Sequence, residues 1–193
     1  MKKEFAKIIN EKVTLDKMLY YLSGEVSDTI KKIYLTLKKG GKVFLCGNGG
    51  SAADAQHLSA EFLVRLRPNI NRRPLPVISL ALDTSTITAC GNDLGFDKLF
   101  ARNLSALGSK KDLLIVISTS GMSKNILNVL RYAKKNGIFS ISLLGNKGGN
   151  AKKLSNINII VPSFNTARIQ ESHIFLGHFI FEQVENLILK NDK

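Results

Sequence analysis

His57 and Glu61 lie four residues apart in the segment CGNGGSAADAQHLSAEFLVR, which runs from residue 46 to residue 65. Residues four apart share one face of a helix, so the imidazole and the carboxylate can act on the same ligand. A pair of this kind can transfer protons or bind a metal ion. More often such a pair is simply solvated at the surface. Residues elsewhere in the chain are needed to choose between these interpretations.

The last predicted helix, over about 166–190, carries the other two histidines. Gln170 and His178 lie eight residues apart on one face of that helix, among apolar side chains. Buried His and Gln residues usually belong to a core in which their hydrogen bonds are satisfied. A matched pair near the start of a helix that follows a strand nevertheless indicates a site. His173 lies on a different face and is expected to be peripheral.

Two short polar loops follow predicted strands and lead into helices. The first, GNGGS, spans residues 47–51, and the second, STSGMS, spans 118–123. Glycine lets the backbone approach a ligand closely, and free amides at a helix N-terminus bind anions. The hydroxyls of the second loop suit a phosphate monoester; they belong to Ser118, Thr119, Ser120 and Ser123. The alternative is that both loops are plain turns in which Ser51 or Ser123 caps the helix.

Together the two loops favour a sugar-phosphate or nucleotide site at one edge of a sheet. The first loop lacks the GxGxxG spacing of a dinucleotide site, and the second lacks the GK[ST] ending of a P-loop. We therefore expect no nucleotide cofactor. The pairs Asp83-Thr84 and Asn92-Asp93 come after the second strand and can reach sugar hydroxyls, although capping and turn formation are the ordinary roles of such residues.

Helices and strands alternate along most of the chain. Strands are predicted over 42–46, 75–82, 112–118, 138–144 and 157–162, and the helices between them over 51–65, 96–107 and 123–136. The strands are almost continuously apolar, which is typical of a parallel sheet buried on both faces. Right-handed crossovers then give an α/β fold, with a doubly wound five-stranded parallel sheet flanked by helices. Two further amphipathic helices, over about 3–22 and 25–39, precede the sheet.

The 193-residue chain is long enough for one well-packed domain. Its apolar runs fall short of the roughly 18 residues that suggest a membrane span, and its N-terminus lacks the apolar segment of a signal peptide. We expect a cytoplasmic protein without a membrane partner. Cys46 and Cys90 form no CxxC pair, so neither a disulfide framework nor a cysteine zinc site is expected.

The formal net charge of +13 permits three interpretations. Nucleic-acid binding is one, but the basic residues are scattered, which favours a lysine-rich solvated surface instead. A positive field that attracts a small phosphorylated substrate fits the two polar loops best. Charge alone does not separate the three, and no nucleic-acid partner is expected.

Four stretches resemble one known family: CGNGGSAADAQHLSAEF, CGNDLGF, ISTSGMSKN and TARIQESHIFLGH. On these motifs the chain is similar over essentially its whole length to the sugar isomerase (SIS) domain proteins, and within them to the bacterial phosphoheptose isomerases. The resemblance implies a flavodoxin-like SIS fold in a single domain over 1–193. Residues 1–40 would be a helical pair used in assembly, and 41–193 the α/β core. It also implies a homotetramer with active sites built across subunit interfaces.

The implied activity is aldose–ketose isomerisation of sedoheptulose 7-phosphate to D-glycero-D-manno-heptose 7-phosphate. This is the first step towards ADP- or GDP-heptose for surface polysaccharides such as lipopolysaccharide or capsule. By matching position, Glu61 resembles the general base and His178 the opposing acid/base. The implied substrate-binding residues are Asn48, Gly49, Gly50, Ser51, Glu61, Asn92, Asp93, Ser118, Thr119, Ser120, Ser123 and Gln170. Family members also bind zinc, which here would use His57, Glu61, Gln170 and His178.

The residue types agree with that chemistry. One carboxylate can move a proton between adjacent carbons through an enediol, and zinc can polarise the carbonyl. These roles compete at Glu61, because a carboxylate bound to zinc is a weaker base. Ala167 stands where some relatives carry an aspartate, which bears on substrate preference.

Two alternatives remain at this point. A non-catalytic SIS adaptor for the replication initiator protein has no need of Glu61 or His178, and this chain retains both. Another phosphosugar isomerase or a regulatory SIS domain is the second alternative, and the stretch from RIQE to GH favours the heptose branch over it.

Overall fold

The computed structural model describes residues 1–81 and 83–191. Helices α1 to α7 span Lys2–Leu19, Ser23–Lys38, Gly50–Leu63, Thr84–Asp93, Leu99–Leu107, Lys124–Lys135 and Thr166–Asn191. Strands β1 to β5 span Val43–Gly47, Val77–Ser79, Leu113–Ser118, Phe139–Leu144 and Ile157–Ile160. Short 3-10 turns lie at Tyr20–Leu22, Phe96–Lys98 and Ala151–Lys153.

The strands form one parallel sheet in the order β2-β1-β3-β4-β5. The register pairs Val43 with Val77 on one side and with Leu113 on the other. β1 and β3 are buried along their whole length, because helices cover both faces, and this burial accounts for their continuous apolar sequences. The predicted doubly wound parallel fold is confirmed, and its strand order is the flavodoxin-like one.

The strand predicted over 75–82 is shorter than expected and covers Val77–Ser79. β2 is an edge strand that pairs with β1 over three residues. Pro74 and Pro76 have no N–H to donate to a sheet, which limits the strand at its N-terminal end. Residue 82, the last of the predicted strand, lies outside the described residues.

Helices cover the sheet in two layers. α1, α2, α3 and α7 pack on the face that carries Val43 and Leu45, whereas α4, α5 and α6 pack on the face that carries Phe44 and Cys46. This division follows from the two-residue period of a strand. Cys46 and Cys90 are free and buried, and burial raises the pKa of the Cys46 thiol. Both are core residues.

The two leading helices differ in how much they bury. α2 buries Val26, Ile33 and Leu37, but α1 contributes Leu15 and Leu19 to the core. Much of the remaining apolar surface of α1 is exposed, and so are nearby aromatic residues of the following turn and of α7: Phe5, Ile8, Ile9, Val13, Met18, Tyr20, Tyr21, Phe175 and Phe179. Within the described ranges, no helix is long and apolar enough to cross a membrane.

The polar loops follow the two strands at which the winding direction changes. From β1 the chain runs outward to the edge strand β2, and it then returns to β3 on the other side of β1. Open α/β sheets bind ligands at the carboxyl ends of such strands. The loops after β1 and β3 therefore lie where the topology predicts a site.

Candidate functional site

The first loop joins β1 to α3 through a backbone that requires glycine. Gly49 has a φ of 56° and is the N-cap residue of α3. A Cβ on Gly47 would lie 2.5 Å from the carbonyl oxygen of Ser51, so a larger residue does not fit there. Ser51 is buried in the first turn, where its N–H donates to the carbonyl of Asn48 at 3.1 Å. This tight turn leaves Gly49 and Gly50 exposed at the edge of the sheet.

The second loop joins β3 to α6 and is built from side-chain turns. The hydroxyl oxygen of Ser118 accepts the N–H of Gly121 at 3.1 Å, and that of Ser120 accepts the N–H of Met122 at 3.2 Å. Each hydroxyl still has its own proton to donate to a ligand. Ser123 is the N-cap residue of α6, yet within the described residues its side chain makes no capping hydrogen bond. Capping was the alternative role for Ser123, and the structure leaves this hydroxyl available instead.

A third loop, after β4, supports the second. Nδ2 of Asn146 donates to the carbonyl of Thr119 at 2.8 Å. A Cβ on Gly121 would lie 2.2 Å from the carbonyl oxygen of Gly148, so the two loops approach closely only because position 121 is glycine. The second loop is thus held in shape by its neighbour as well as by its own turns.

Asn48 and Asn125 join the first loop to α6, the helix that follows the second loop. Nδ2 of Asn48 donates to Oδ1 of Asn125 at 2.9 Å, and Nδ2 of Asn125 donates back to Oδ1 of Asn48 at 2.8 Å. Asn125 is buried in the first turn of α6. Asn48 was predicted to bind substrate, and in the structure its amide group bonds to Asn125 in the first turn of α6. Sequence analysis missed Asn125, because the pairing spans 77 positions.

His57, Glu61 and His178 come together between α3 and α7, and we call them the histidine cluster. Nε2 of His57 lies 2.8 Å from Nε2 of His178 and 3.3 Å from Oε1 of Glu61. The two imidazole rings meet edge to face, with centroids 5.0 Å apart. His57 is 47% exposed, against 17% for Glu61. His57 and Glu61 therefore belong to a three-residue cluster and are not an isolated surface pair.

The donor set of the histidine cluster fits a metal ion. Its ligand atoms all lie within 4.8 Å of one another, and imidazole nitrogens with a carboxylate oxygen are common zinc ligands. Oε2 of Glu61 is buried and has no hydrogen-bond partner among the residues the structure describes. A buried carboxylate oxygen without a partner is costly, and a cation would satisfy it.

Gln170, the fourth predicted ligand, packs against the first loop. A Cβ on Gly50 would lie 2.6 Å from Nε2 of Gln170, so glycine at position 50 makes room for the amide. Gln170 precedes His178 by about two turns on α7, and its place in the ligand set stays a prediction. Ala167 is exposed in the first turn of α7, where its N–H donates to Oδ1 of Asn165 at 3.0 Å.

Asp54 is a second carboxylate near the histidine cluster, and sequence analysis missed it. Burial raises the pKa of its carboxyl group, and the charges that His57 and His178 can carry oppose this shift. Its Oδ2 is buried and lacks a hydrogen-bond partner within the described part of the chain. The spacing could have revealed Asp54, because it precedes His57 by three residues and so shares a helix face with it.

His173 is a core residue. Its side chain is completely buried, and its Nε2 donates to the carbonyl of Leu144 at 3.0 Å, at the end of β4. Burial lowers the pKa of His173 to about 4. The ring lies outside the histidine cluster, as its helix face indicated, but the expectation that it is peripheral is wrong, because it anchors α7 to the sheet.

The polar residues after β2 make local hydrogen bonds at the two ends of α4. Asp83 caps α4, since its two carboxylate oxygens accept the N–H and the hydroxyl of Thr86, each at 2.8 Å. The bond from the Thr86 N–H chiefly lowers the pKa of Asp83. Asn92 and Asp93 are exposed at the end of α4, where Nδ2 of Asn92 donates to Oδ1 of Asp93 at 2.7 Å. Their contact with a sugar stays a prediction.

Comparison with known proteins finds one family along the chain. The family model described as "SIS domain" matches residues 9–145. The phosphoheptose isomerase of Chlorobaculum tepidum is 44% identical over 191 aligned residues, which cover 92% of this chain and 90% of that protein. The phosphoheptose isomerase of Helicobacter pylori is 44% identical over 185 residues, with 96% and 94% covered.

Two solved structures share the fold over nearly the whole chain. The phosphoheptose isomerase GmhA from Neisseria gonorrhoeae has a TM-score of 0.89 at 34% identity, over 96% of this chain and 98% of that one. A phosphoheptose isomerase from Francisella tularensis has a TM-score of 0.91 at 34% identity, over 95% and 97%.

Proposed function

The chain belongs to the SIS domain family, and on that basis we propose that it is a phosphoheptose isomerase. It converts sedoheptulose 7-phosphate to D-glycero-D-manno-heptose 7-phosphate, a step towards ADP- or GDP-heptose for lipopolysaccharide or capsule. One observation carries the proposal. Glu61, on the helix that begins at the glycine-rich loop, and His178, on α7, meet in one cluster.

The two polar loops bind the phosphate group of the substrate. The N-termini of α3 and α6 present backbone N–H groups and the positive ends of helix dipoles to an anion. The hydroxyls of Ser118, Ser120 and Ser123 supply further donors. The Asn48–Asn125 pair keeps the loops at one spacing, so that both can contact a single phosphate. The net charge of +13 adds long-range attraction for an anionic substrate.

The distance between the loop and the histidine cluster supports a long substrate. From Gly50 to His57 the helix advances seven residues, which is about 10 Å at 1.5 Å per residue. An open-chain heptose that carries its phosphate on C-7 can place that phosphate in the loops while C-1 and C-2 lie beside Glu61. A shorter sugar phosphate bound in the same loops would reach the cluster less well.

Glu61 moves the proton. Its carboxylate removes a proton from C-1 of the ketose and returns it to C-2, through an enediol. His178, on the facing helix, exchanges protons with the substrate oxygens. His57 orients both, because its Nε2 lies 3.3 Å from Oε1 of Glu61 and 2.8 Å from Nε2 of His178. Each well-placed acid or base contributes on the order of 10² to 10⁴ in rate.

The cofactor in this proposal is zinc, held by His57, Glu61 and His178 with Gln170 as the fourth ligand. When bound, it supplies Lewis-acid stabilisation of the negative charge that develops on the substrate oxygens. Glu61 has two carboxylate oxygens, so ligation through one leaves the other to hold the proton. Its Oε2 is buried and finds no hydrogen-bond partner among the described residues, and this observation supports a cation here.

The assembly in this proposal is a homotetramer with sites completed across subunit interfaces. α1, the turn that follows it and α7 expose a group of large apolar side chains. A group of this kind is typical of protein–protein contacts. A groove of about 530 Å³ between the leading helices and α7, lined in part by Tyr20, Phe175 and Phe179, offers a place for a second copy. The exposed Asn92 and Asp93 would then contact a sugar bound at the interface. We place the enzyme in the cytoplasm, without a nucleic-acid or membrane partner.

The adaptor alternative gains no support. An adaptor needs no cluster of acid/base residues, and the relatives described above are named as isomerases.

Incubation of the purified protein with sedoheptulose 7-phosphate tests the proposal, in three arms: as purified, with a chelator, and with zinc restored. We expect an aldoheptose 7-phosphate to appear, to be lost with the chelator and to return with zinc. Fructose 6-phosphate, a shorter ketose phosphate, is the matched control and should turn over poorly. A folded protein that is inactive in every arm would contradict the isomerase assignment, whereas turnover that survives chelation would contradict the role of zinc.

A further inference from the structure

We infer that Arg72 is a positioning residue, which joins the C-terminal end of α3 to α7 and so sets the spacing of the histidine cluster. The inference deepens the proposed function and rests on it where turnover is concerned. Arg72 lies in the irregular segment between α3 and β2, and neither motif nor spacing singled it out.

Arg72 bonds to both helices at once. Its Nη2 donates to the backbone carbonyl of Glu61 at 2.7 Å, and its Nη1 donates to that of Phe62 at 3.0 Å. Its Nε donates to Oε1 of Glu185, on α7, at 2.6 Å. The guanidinium presents these donors in one rigid plane. A single rigid group therefore fixes the distance between its partners on the two helices.

The contact with α3 is also a helix cap. The carbonyls of Glu61 and Phe62 belong to the last turn of α3, where carbonyls lack intrahelical partners and a cation is favoured. The guanidinium carbon lies 5.1 Å from the ring centroid of Phe62. That ring packs against Phe181 of α7, with centroids 4.3 Å apart. Ion pair and ring contact therefore join the same two helices.

The link is buried and close to the residues that it positions. The side chain of Arg72 is 2% exposed, and that of Glu185 is completely buried. Buried ion pairs add little net stability, because desolvation offsets their attraction, so a role in fixing geometry explains this one better. One end of the link is the carbonyl of Glu61 itself. The other end is Glu185, which lies seven residues, about two turns, after His178 on α7.

Arg67 provides a matched comparison. Its Nε donates to Oε2 of the same Glu185 at 2.7 Å, and its Nη2 donates to Oδ1 of Asn186 at 2.7 Å. In the described ranges it has no hydrogen bond to a carbonyl of α3, and its side chain is 28% exposed. Replacing Arg67 weakens contacts with α7 alone, whereas replacing Arg72 also removes the hydrogen bonds to the carbonyls of α3.

The experiment compares Arg72→Lys with Arg67→Lys in metal-free protein, by NMR of the imidazole signals. Lysine keeps the charge, but one ammonium group cannot replace the planar fork that reaches Glu185 and both carbonyls. The chain has three histidines, and His173, which is held by Leu144, serves as the internal reference. We expect Arg72→Lys to shift the His57 and His178 signals and to leave His173 unchanged. Arg67→Lys should leave all three signals near their wild-type positions.

Steady-state kinetics with sedoheptulose 7-phosphate give the second readout. Misplacing reacting groups by about 1 Å can cost roughly a hundredfold in rate, so kcat should fall between about tenfold and a hundredfold in Arg72→Lys. KM should stay within about twofold, because the substitution does not change the two polar loops. Arg67→Lys should keep wild-type kcat.

Unchanged His57 and His178 signals in Arg72→Lys, or equal shifts in Arg67→Lys, would overturn the inference. The NMR comparison needs neither metal nor turnover, so a wild-type protein inactive on the heptose phosphate would contradict the proposed function alone. If Arg72→Lys does not fold, Glu185→Gln keeps the side-chain volume but removes the carboxylate charge that holds Arg72, so the link to α7 is weakened. The same shift of the His57 and His178 signals is then expected, and its absence overturns the inference.

Discussion

The two polar loops and the histidine cluster are assembled in different ways. The loops owe their shape mainly to local sequence, such as the positive φ of Gly49 and the bond from the Gly121 N–H to Ser118. The histidine cluster depends on His57 and His178, which are 121 positions apart and meet because α3 packs on α7. In the proposed function the loops bind the phosphate and the cluster performs the chemistry, so substitutions in the loops should act on KM and those in the cluster on kcat.

The largest effect should come from Glu61→Gln. The amide keeps the shape of the side chain but cannot accept the substrate proton, so kcat should fall by about 10³. KM should change little and the melting temperature should stay near that of the wild type, since Oε2 of Glu61 has no partner to lose within the described residues. Glu25→Gln, on the surface of α2, is the control. A wild-type kcat in Glu61→Gln would contradict the assignment of catalysis to the histidine cluster and of binding to the loops.

Helix α7 spans both regions, and His173 tests its attachment to the sheet. Burial lowers the pKa of His173 from 6.5 to about 4, a difference worth about 3 kcal/mol. Between these pH values the unfolded chain binds a proton that the folded protein does not, so stability falls as the pH falls. We expect the free energy of unfolding to drop by about 3 kcal/mol more in wild type than in His173→Gln between pH 7 and pH 4.

Urea titrations at several pH values measure that difference. Parallel pH profiles for the wild type and His173→Gln would show that His173 titrates normally in the folded protein, and would contradict its role as a neutral anchor.

Ser123→Ala examines the loops. The Ser123 hydroxyl makes no capping bond in the residues that the structure describes, so its loss should cost a phosphate contact without destabilising α6. A hydrogen bond to a charged group is worth about 1.5–3 kcal/mol, so KM should rise about tenfold or more, with kcat and melting temperature little changed. Ser105→Ala, in an exposed serine of α5, should alter none of these. A fall in melting temperature with unchanged KM would restore the capping interpretation.

The smallest effect concerns the link between the loops. Asn48→Ala and Asn125→Ala should each raise KM about fivefold, and the double variant should be little worse than either, because both remove the same pair of hydrogen bonds. Multiplying effects in this double-mutant cycle would mean that Asn48 contacts the substrate directly, as the sequence predicted.

The sequence reached the fold and the loops because both are encoded locally. Continuous apolar strands and glycine turns predicted the parallel sheet and the placement of 47–51 and 118–123 at its edge. Contacts between residues distant in sequence could not be predicted. Asn125 and Glu185 are recognisable as linking residues only once the helices have packed and brought their partners close. The expectation for His173 failed because helical phase says which residues share a face but not whether that face meets solvent or sheet.

The central claim is that Glu61 moves the substrate proton within the histidine cluster. The most direct measurement is the deuterium content at C-2 of the aldoheptose phosphate formed in D₂O, for the wild type and for Glu61→Gln. The account predicts that deuterium enters C-2 with the wild type and that Glu61→Gln loses both turnover and incorporation by about 10³. Incorporation at the wild-type rate in Glu61→Gln would contradict it.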